Sequence, residues 1–339
     1  MKHRSRLCAA LALAACLPAC GENSRDEINP FVEAARTLPP PPGAAILFTA
    51  SLYSLNAGAA REIYAVAADG SGITRLTFCN ETSVCDYAEV APAPDRERVG
   101  ARRTAVDSNL DGLLNEADGA ALVFLDLRRG IEAALVPASR RVSGLDWAPS
   151  TAEFFIYSAL PGGGGNEDLF LINYNGQEDQ ALTCALGSPT PCNVAIRERR
   201  PRLDTLESQA VYQRVDAAGA SVIALFSNAA NQPGITSGPN DADPVFSPDN
   251  RRVAFRRLTD ASANGGQGAW DILTVGLDGS GLQTVATGPA FRGAPDWSTS
   301  GLTWAESDAT GKRLVVTAAD GSSPHAIATL QPSVTLTNP

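Results

Sequence analysis

Residues 242–285 read ADPVFSPDNRRVAFRRLTDASANGGQGAWDILTVGLDGSGLQTV, and this stretch decides the fold. Its apolar runs are short and lie between turn-forming residues; they occupy positions 244–246, 253–255, 272–275 and 282–285. The segments SPDN (247–250) and DGSG (278–281) contain Pro, Asn and Gly, which supply the backbone dihedrals of tight reversals. The stretch therefore predicts four short antiparallel strands. One such sheet leaves both of its faces uncovered, so copies of it must stack.

The same order of features can be aligned six times along the chain. In units two to six the residue before the first turn is apolar or aromatic; these residues are Pro92, Trp147, Leu203, Phe246 and Trp297. They lie 43 to 56 residues apart, close to or somewhat above the period of about 40–45 residues of a four-stranded propeller blade. We therefore predict an all-β protein, a six-bladed β-propeller of four-stranded antiparallel blades over residues 44–339. Unit one shows no first strand of its own, and either residues 333–336 or the segment before residue 44 would supply it.

The composition agrees with this fold class and argues against one class of partner. With 339 residues, 30 Gly and 23 Pro, the chain is long enough for a large repeat domain and is rich in turn formers. Its formal net charge is −10. An acidic surface repels a phosphate backbone, so nucleic acid is not expected as a partner. We expect a monomer that holds a protein or peptide partner at the propeller rim or in the channel.

Residues 1–20 have the pattern of an export signal. The basic start MKHRSR precedes an apolar stretch over residues 7–15 that is too short to span a bilayer. The segment LPAC (17–20) resembles the bacterial lipobox, which implies lipidation at Cys20. Cys16, at the end of LAAC, fits locally about as well, and an ordinary secretory leader is the alternative. We prefer Cys20 because polar sequence follows it directly.

The resulting expectation is an exported bacterial lipoprotein, held by its lipid at the periplasmic face of a membrane or at the cell surface. Residues 21–43 are polar and then Pro-rich, which is typical of an extended tether.

Four cysteines follow the leader as two close pairs, Cys79 with Cys85 and Cys184 with Cys192. In an oxidising compartment such pairs indicate two local disulfides that pin loops. Zinc is the competing interpretation, but no His lies near either pair. Neither pair has the C-x-x-C spacing of a redox site.

Several segments resemble the TolB-type (WD40-like) β-propeller repeat. They are FSPDN (246–250) with VAF (253–255), WDIL (270–273) with DGSG (278–281), and EIY (62–64) with DGSG (69–72) and RLT (75–77). The resemblance covers about 45–330 and implies the six-bladed fold. TolB itself carries a separate α/β domain before its propeller, and only the tether lies there in this chain. The resemblance therefore does not extend to the particular partners of TolB.

Residues 107–118, DSNLDGLLNEAD, lie in an insertion at 104–120 and form the sharpest chemical motif of the chain. Oxygen-bearing side chains at loop positions 1, 3, 5, 9 and 12, with Gly at 6, form the EF-hand calcium pattern. The predicted Ca²⁺ ligands are Asp107, Asn109, Asp111, the carbonyl of Leu113, Asn115 and Asp118. We expect the ion to be structural and to order the insertion. The loop resembles that of dockerins, which implies calcium but not cellulosome assembly; an acidic surface hairpin is the alternative.

Residues suited to catalysis are few. The chain after the leader contains one histidine, His325, and no G-x-S-x-G motif. We therefore predict a binding scaffold, with no catalytic and no cofactor-binding residues assigned. The alternative is a hydrolase or lyase acting on peptide or glycan through channel carboxylates and a metal, for which Asp241 and Asp243 are candidates. A third hypothesis, carbohydrate binding, requires Trp270 and Trp304 to be exposed on one rim.

Overall fold

The computed structural model describes residues 36–50, 61–78, 85–111, 114, 116–161, 165–183, 195–227, 230–318, 320–330 and 336–337. The described strands form six antiparallel sheets around a central channel, with one additional two-stranded sheet. Five of the six sheets have four strands, and in the sixth two short segments share the innermost place. The predicted all-β, six-bladed propeller is confirmed.

The strands of each blade run in order from the channel outward. Blade 1 consists of Leu336–Thr337, Ala44–Ala50, Glu62–Ala67 and Thr74–Arg75, and blade 2 of Asp86–Pro92, Arg98–Thr104, Ala121–Asp126 and Ile131–Val136. Blade 3 consists of Gly144–Trp147, Phe154–Ala159, Asp168–Asn173 and Gln180–Ala181, and blade 4 of Arg197–Leu203, Gln209–Val215, Ser221–Ser227 and Ala230–Gly234. Blade 5 consists of Asp241–Phe246, Arg252–Asp260, Ala269–Gly276 and Gln283–Ala286. Blade 6 has Phe291–Arg292 and Asp296–Ser298 innermost, then Gly301–Asp308, Gly311–Val316 and His325–Leu330.

The C-terminal segment closes the ring. Leu336–Thr337 pairs with Thr49–Ala50 and so becomes the innermost strand of blade 1, whose other strands come from the start of the chain. This confirms the first of the two closures considered from the sequence. The end of the tether lies elsewhere: Arg36–Thr37 pairs with Thr77–Phe78, and the Thr37 hydroxyl donates a hydrogen bond to the carbonyl of Leu127. The last residues of the tether are therefore attached to the propeller.

The blade register predicted from the sequence is also confirmed. The five apolar or aromatic register residues all lie at or next to the end of an innermost strand and face the start of the second strand; the pairs are Pro92–Val99, Trp147–Phe155, Leu203–Ala210, Phe246–Val253 and Trp297–Leu302.

Repeated turns join the third strand of a blade to the outermost one. In the turns of blades 1, 5 and 6, Asp69, Asp278 and Asp320 each accept the N–H of the Ser two positions later, over 2.9 Å. The glycine between them has a φ of 80–83° in all three blades, which an L side chain rarely adopts. A Cβ at Gly70 would also collide with the carbonyl oxygen of Ile327. The Asp-Gly-Ser sequence is therefore a local determinant of the blade.

The core lies between neighbouring blades. One cluster joins Val211 and Ile223 of blade 4 to Phe246 and Phe255 of blade 5, all buried. Trp147 of blade 3 packs 5.8 Å, centroid to centroid, from Phe124 of blade 2. Because each sheet face is covered by the next blade, the ring is held together by burial of apolar surface on both sides of every blade.

The longer connections emerge at one end of the ring. Neighbouring strands of a blade are antiparallel, so the connections from second to third strand and from each blade to the next share an end. We call this end the loop face. It carries the described residues of three connections, which follow residue 104 of blade 2, residue 159 of blade 3 and residue 260 of blade 5. The opposite face carries short turns such as 93–97 and 247–251.

The predicted signal, both candidate lipidation residues (Cys16 and Cys20) and most of the tether lie outside the described residues. Within the described ranges, no helix has the length and apolar character needed to cross a membrane.

Candidate functional site

Three charged residues occupy equivalent positions on the innermost strands. Glu89, Arg200 and Asp243 each lie three residues before the register residue of their blade, in blades 2, 4 and 5. Their φ angles are 56°, 54° and 51°, and the pairing register shifts at each of them. A β-bulge re-aims a side chain, and a left-handed conformation costs a non-glycine residue about 1–3 kcal/mol. The bulges therefore turn these three side chains toward one another.

Arg200 connects three blades. Its Nη1 lies 2.8 Å from Oε2 of Glu89, and its Nε lies 3.5 Å from Oδ1 of Asp243. Blade 3 separates blades 2 and 4 in the ring, so the bond to Glu89 passes in front of the innermost strand of blade 3. The residue there is Gly144, and a Cβ on it would lie 2.6 Å from Cα of Arg200. The absence of a side chain at Gly144 makes room for the bridge.

Further arginines neutralise both carboxylates. Glu89, whose side chain is 2% exposed, also meets Arg102 at 3.2 Å and Arg202 at 3.6 Å. Asp243 accepts a hydrogen bond from Arg256. Burial alone would raise the pKa of Asp243, but the guanidinium groups of Arg256, Arg200 and Arg202 outweigh it, and the pKa is lowered. Arginines therefore surround both carboxylates, and for Asp243 they favour the ionised form.

Asp146 is the channel carboxylate with the opposite shift. It lies directly before Trp147, and its Oδ2 accepts the N–H of Leu203 over 2.9 Å. Burial raises the pKa of Asp146 to about 6 in spite of the nearby Arg202, and the negative charge of Asp296 adds to the rise. Sequence reasoning missed this residue, although a charge beside an aromatic register residue was a signal that could have revealed it.

Asp241 and Asp243, the carboxylates considered from the sequence for acid–base chemistry, do not act on each other. Asp241 is fully buried and forms two hydrogen bonds with Arg257, over 2.6 and 2.9 Å. Asp243 is part of the arginine network. Each carboxylate thus has its own guanidinium partner.

The predicted calcium loop folds back on itself. The backbone N–H groups of Ser108 and Asn109 donate to Oδ1 of Asp118 over 2.8 and 3.3 Å, so loop position 12 lies against positions 2 and 3. The N–H of Asp111 donates to Oδ1 of Asp107 over 3.2 Å and to Oδ1 of Asn109 over 3.0 Å. The oxygen atoms of loop positions 1, 3 and 5 therefore lie within one turn.

Carboxylate and amide oxygens are the donors that calcium prefers, so the residues of this loop fit that ion. Leu113 and Asn115 lie outside the described residues, and Leu114, at loop position 8, is half-buried. Among the described residues, no three His, Cys, Asp or Glu side chains are grouped closely enough to hold a metal. The calcium site stays a prediction that depends on amide and carbonyl ligands as well as carboxylates.

Of the four predicted disulfide cysteines, the structure describes Cys85. It is buried at the start of blade 2 and is disulfide-bonded. Cys79, Cys184 and Cys192 lie outside the described residues, so both pairings remain predictions.

The two tryptophans considered for carbohydrate binding do not form an exposed pair on one rim. Trp304 is 1% exposed. The guanidinium of Arg256 lies 4.0 Å from the ring centroid of the half-buried Trp270. His325 is exposed, and its Nδ1 lies 3.2 Å from the carbonyl oxygen of Ser323. Trp304 is therefore unavailable to a sugar, and Arg256 covers one face of Trp270.

An open cleft of about 360 Å³ lies at the loop face between blades 2, 3 and 4. Its walls come from residues 141–143, from 165–167 and from the start of the innermost strand of blade 4. Its charged lining residues are Arg102, Arg141, Glu167, Arg197 and Arg199. The cleft is therefore positively charged, although the chain as a whole has a net charge of −10.

No protein-family model matches the sequence, and no curated protein matches it. Solved structures, however, are similar to this β-propeller. TolB from Acinetobacter baumannii gives a TM-score of 0.61 at 12% identity, covering 85% of this chain and 64% of that one. A putative TolB from Agrobacterium tumefaciens gives 0.55 at 14% identity, covering 77% and 85%. A puromycin hydrolase variant gives 0.51 at 14% identity, covering 87% and 46%.

These similarities show the fold, which is a TolB-like six-bladed β-propeller. The chain spans less than two thirds of the Acinetobacter TolB and less than half of the puromycin hydrolase. Because the same fold occurs in a protein named as a hydrolase, the function has to be argued from the side chains of this chain.

Proposed function

We propose that this protein is an exported lipoprotein whose propeller is a binding scaffold for a protein or peptide partner. The observation that carries the proposal is the arginine network of the channel. A general acid or base has to take up and release a proton near neutral pH. Glu89 and Asp243 are each paired with two or more guanidinium groups, and these groups lower the pKa of Asp243. In this network the two carboxylates form ion pairs that connect blades. They are therefore poorly suited to act as a general acid or base.

The loop face is the favoured binding surface. Binding residues are concentrated on loops that a rigid scaffold positions. The longer connections of blades 2, 3 and 5 share this end, and so does the basic cleft. The proposed location is the periplasmic face of a membrane or the cell surface, with lipid on Cys20 as the anchor.

The proposed calcium ion is structural. Asp107, Asn109, Asp111, Asn115, Asp118 and the carbonyl of Leu113 would hold it. When bound, the ion would supply a fixed positive charge that these oxygens surround. The chain's own part is to bring loop position 12 against positions 2 and 3 through the N–H donors of Ser108 and Asn109. Ordering this insertion would steady one side of the loop face.

One observation favours the alternative of a hydrolase or lyase. The pKa of Asp146, about 6, is suited to proton transfer near neutral pH. Asp146 nevertheless accepts backbone N–H groups from Trp147 and Leu203, which gives it a role in holding two innermost strands. Under the scaffold proposal, Asp146→Asn leaves partner binding intact, whereas under the enzyme alternative it abolishes conversion of the partner.

Site-specific photo-crosslinking tests the proposed function. A photoreactive amino acid replaces Leu110, which is 87% exposed on the loop face, or Leu206, which is 75% exposed on the opposite face. Both side chains are exposed leucines, so neither replacement removes a buried apolar contact. In native membranes we expect a discrete protein adduct from position 110 and none from position 206. Equal adducts from both positions, or none from either, would contradict a loop-face scaffold.

A further inference from the structure

The basic cleft of the loop face contains two positive charges that have no acidic partner among the described residues. Arg102 is buried and paired with Glu89, and Arg199 lies 3.0 Å from Glu167. Arg141 and Arg197 also line the cleft, and both are exposed. Within the part of the chain that the structure describes, neither of these two side chains has an acidic partner. Their charges are therefore available to a ligand.

The backbone that carries Arg141 is fixed from both sides. The N–H of Val142 donates to the carbonyl of Ala120 over 2.9 Å, and the N–H of Leu160 donates to the carbonyl of Arg140 over 2.7 Å. Gly119 packs against Arg141 so closely that a Cβ there would lie 3.3 Å from its Cγ. A guanidinium on a fixed backbone loses less freedom on binding, which favours affinity.

The chemistry of the lining indicates what enters the cleft. Guanidinium groups form paired, charge-assisted hydrogen bonds with carboxylates. Glu167 on the wall is paired with Arg199 at 3.0 Å, and its negative charge disfavours a more highly charged group such as a phosphate dianion. A volume of about 360 Å³ accommodates one or two side chains rather than a whole polymer segment.

We propose that the cleft binds the carboxylate of an Asp or Glu side chain in an acidic peptide segment, between Arg141 and Arg197. This inference deepens the proposed scaffold function and rests on it. The partner is thereby defined by its chemistry: an acidic, accessible stretch of a protein that meets the loop face of an otherwise acidic propeller.

The test uses the mature full chain and a fluorescent hexapeptide of alternating Glu and Gly, with a Gln-for-Glu peptide of the same length as reference. Fluorescence anisotropy measures the affinity. We expect the Glu peptide to bind more tightly than the Gln peptide, with an affinity that falls as salt is added. Arg141→Ala and Arg197→Ala are each expected to weaken binding about tenfold. Arg251→Ala is the matched control, because Arg251 is 84% exposed in a turn of the opposite face, and it should leave the affinity unchanged.

Three outcomes would overturn the inference. They are equal affinity for the two peptides, equal loss in the Arg251 control, and binding of an oligogalacturonate in place of the peptide. All three variants carry surface substitutions, and circular dichroism checks that each is folded. If position 110 still crosslinks to a partner while the Glu peptide fails to bind, the cleft inference alone is wrong. If neither occurs, the proposed scaffold function is wrong as well.

Discussion

Arg200 of blade 4 donates a hydrogen bond over 2.8 Å to Glu89 of blade 2, and Gly144 of blade 3 lies beneath the bond without a side chain. The two residues are 111 positions apart in the chain. Their contact joins blades that are not neighbours in the ring, so the network stiffens the channel across blades in addition to the apolar packing between them.

Removing the Glu89 charge should destabilise the propeller. Glu89→Gln leaves Arg102, Arg200 and Arg202 without their shared carboxylate, and breaking a buried ion pair costs about 3 kcal/mol. Urea unfolding measures the loss. Glu97→Gln is the control, because Glu97 is 42% exposed and pairs with an exposed Arg128. Equal stability of the two variants would show that the network contributes nothing.

The pH dependence of stability should reveal Asp168. This residue is 6% exposed, and burial raises the pKa of its carboxyl to about 6. The pKa of this carboxyl is therefore higher in the folded state than its unfolded value of about 3.9. The protonated carboxyl contributes its full stability below about pH 4, and this contribution is lost as the pH rises through 6. Asp168→Asn should therefore stabilise the protein by about 2 kcal/mol at pH 8 and by little at pH 4.

Asp243→Asn should change the stability at pH 8 in the opposite direction to Asp168→Asn. The pKa of Asp243 is lowered, so its ionised form adds stability above the unfolded pKa, and this contribution is lost as the pH falls through the folded pKa. The variant should be destabilised at pH 8, and the difference from the parent should shrink in acid. Parallel pH profiles for Asp168→Asn and Asp243→Asn would contradict the two assigned environments.

Ring closure predicts a sharp boundary for C-terminal truncation. Ending the chain after Leu330 removes Leu336–Thr337 and leaves the Thr49–Ala50 edge of blade 1 unpaired. We expect a fall of several degrees in the melting temperature and increased aggregation, because an open strand edge can pair with another chain. Removing residues 338–339 alone is the control and should change neither. If the protein that ends after Leu330 melted at the same temperature as the full-length protein, this closure would be contradicted.

Calcium should raise the melting temperature if residues 107–118 bind it. A ligand that binds the folded state shifts the unfolding equilibrium toward that state. In the double variant Asp107→Asn, Asp111→Asn, the melting temperature should be the same in calcium and in chelator. Each protein is compared with itself in the two buffers, so a general effect of the substitutions on stability does not affect the result. Because Gly119 packs against Arg141, chelator should also weaken binding of the Glu peptide. A parent protein that melts identically in calcium and chelator would refute the site.

Lipidation should depend on one cysteine of the leader. Cys20→Ser should release the protein from the membrane fraction and abolish its labelling by a fatty-acid probe. Cys16→Ser is the matched control and should remain anchored. The reverse result would assign the lipid to Cys16, and a parent protein that the fatty-acid probe does not label would remove the lipoprotein proposal.

Local patterns in the sequence were sufficient to predict the fold. The Asp-Gly-Ser turns and the register residues such as Trp147 depend on neighbours a few positions away, and they recur in successive blades. Short outermost strands carry much less signal. Gln180–Ala181 has only two residues and no apolar run, and it forms because Phe170 and Leu171 offer a free strand edge.

The channel network could not be derived from the sequence in the same way. Arg200 meets Glu89 only because bulges turn both side chains into the channel and Gly144 leaves room between them. The common position of Glu89, Arg200 and Asp243, three residues before the register residue, is visible in the sequence. The pairing of their charges depends on the circular order of the blades, which is a property of the closed ring.

A scaffold recognises its partner without transforming it, and this distinction can be measured directly. The partner captured through position 110 is added in large excess to the parent protein, and its intact mass is followed over many hours. A scaffold predicts a stoichiometric complex in which the partner keeps its mass. Conversion of the excess partner to shorter products, abolished by Asp146→Asn, would contradict the scaffold and establish the enzyme.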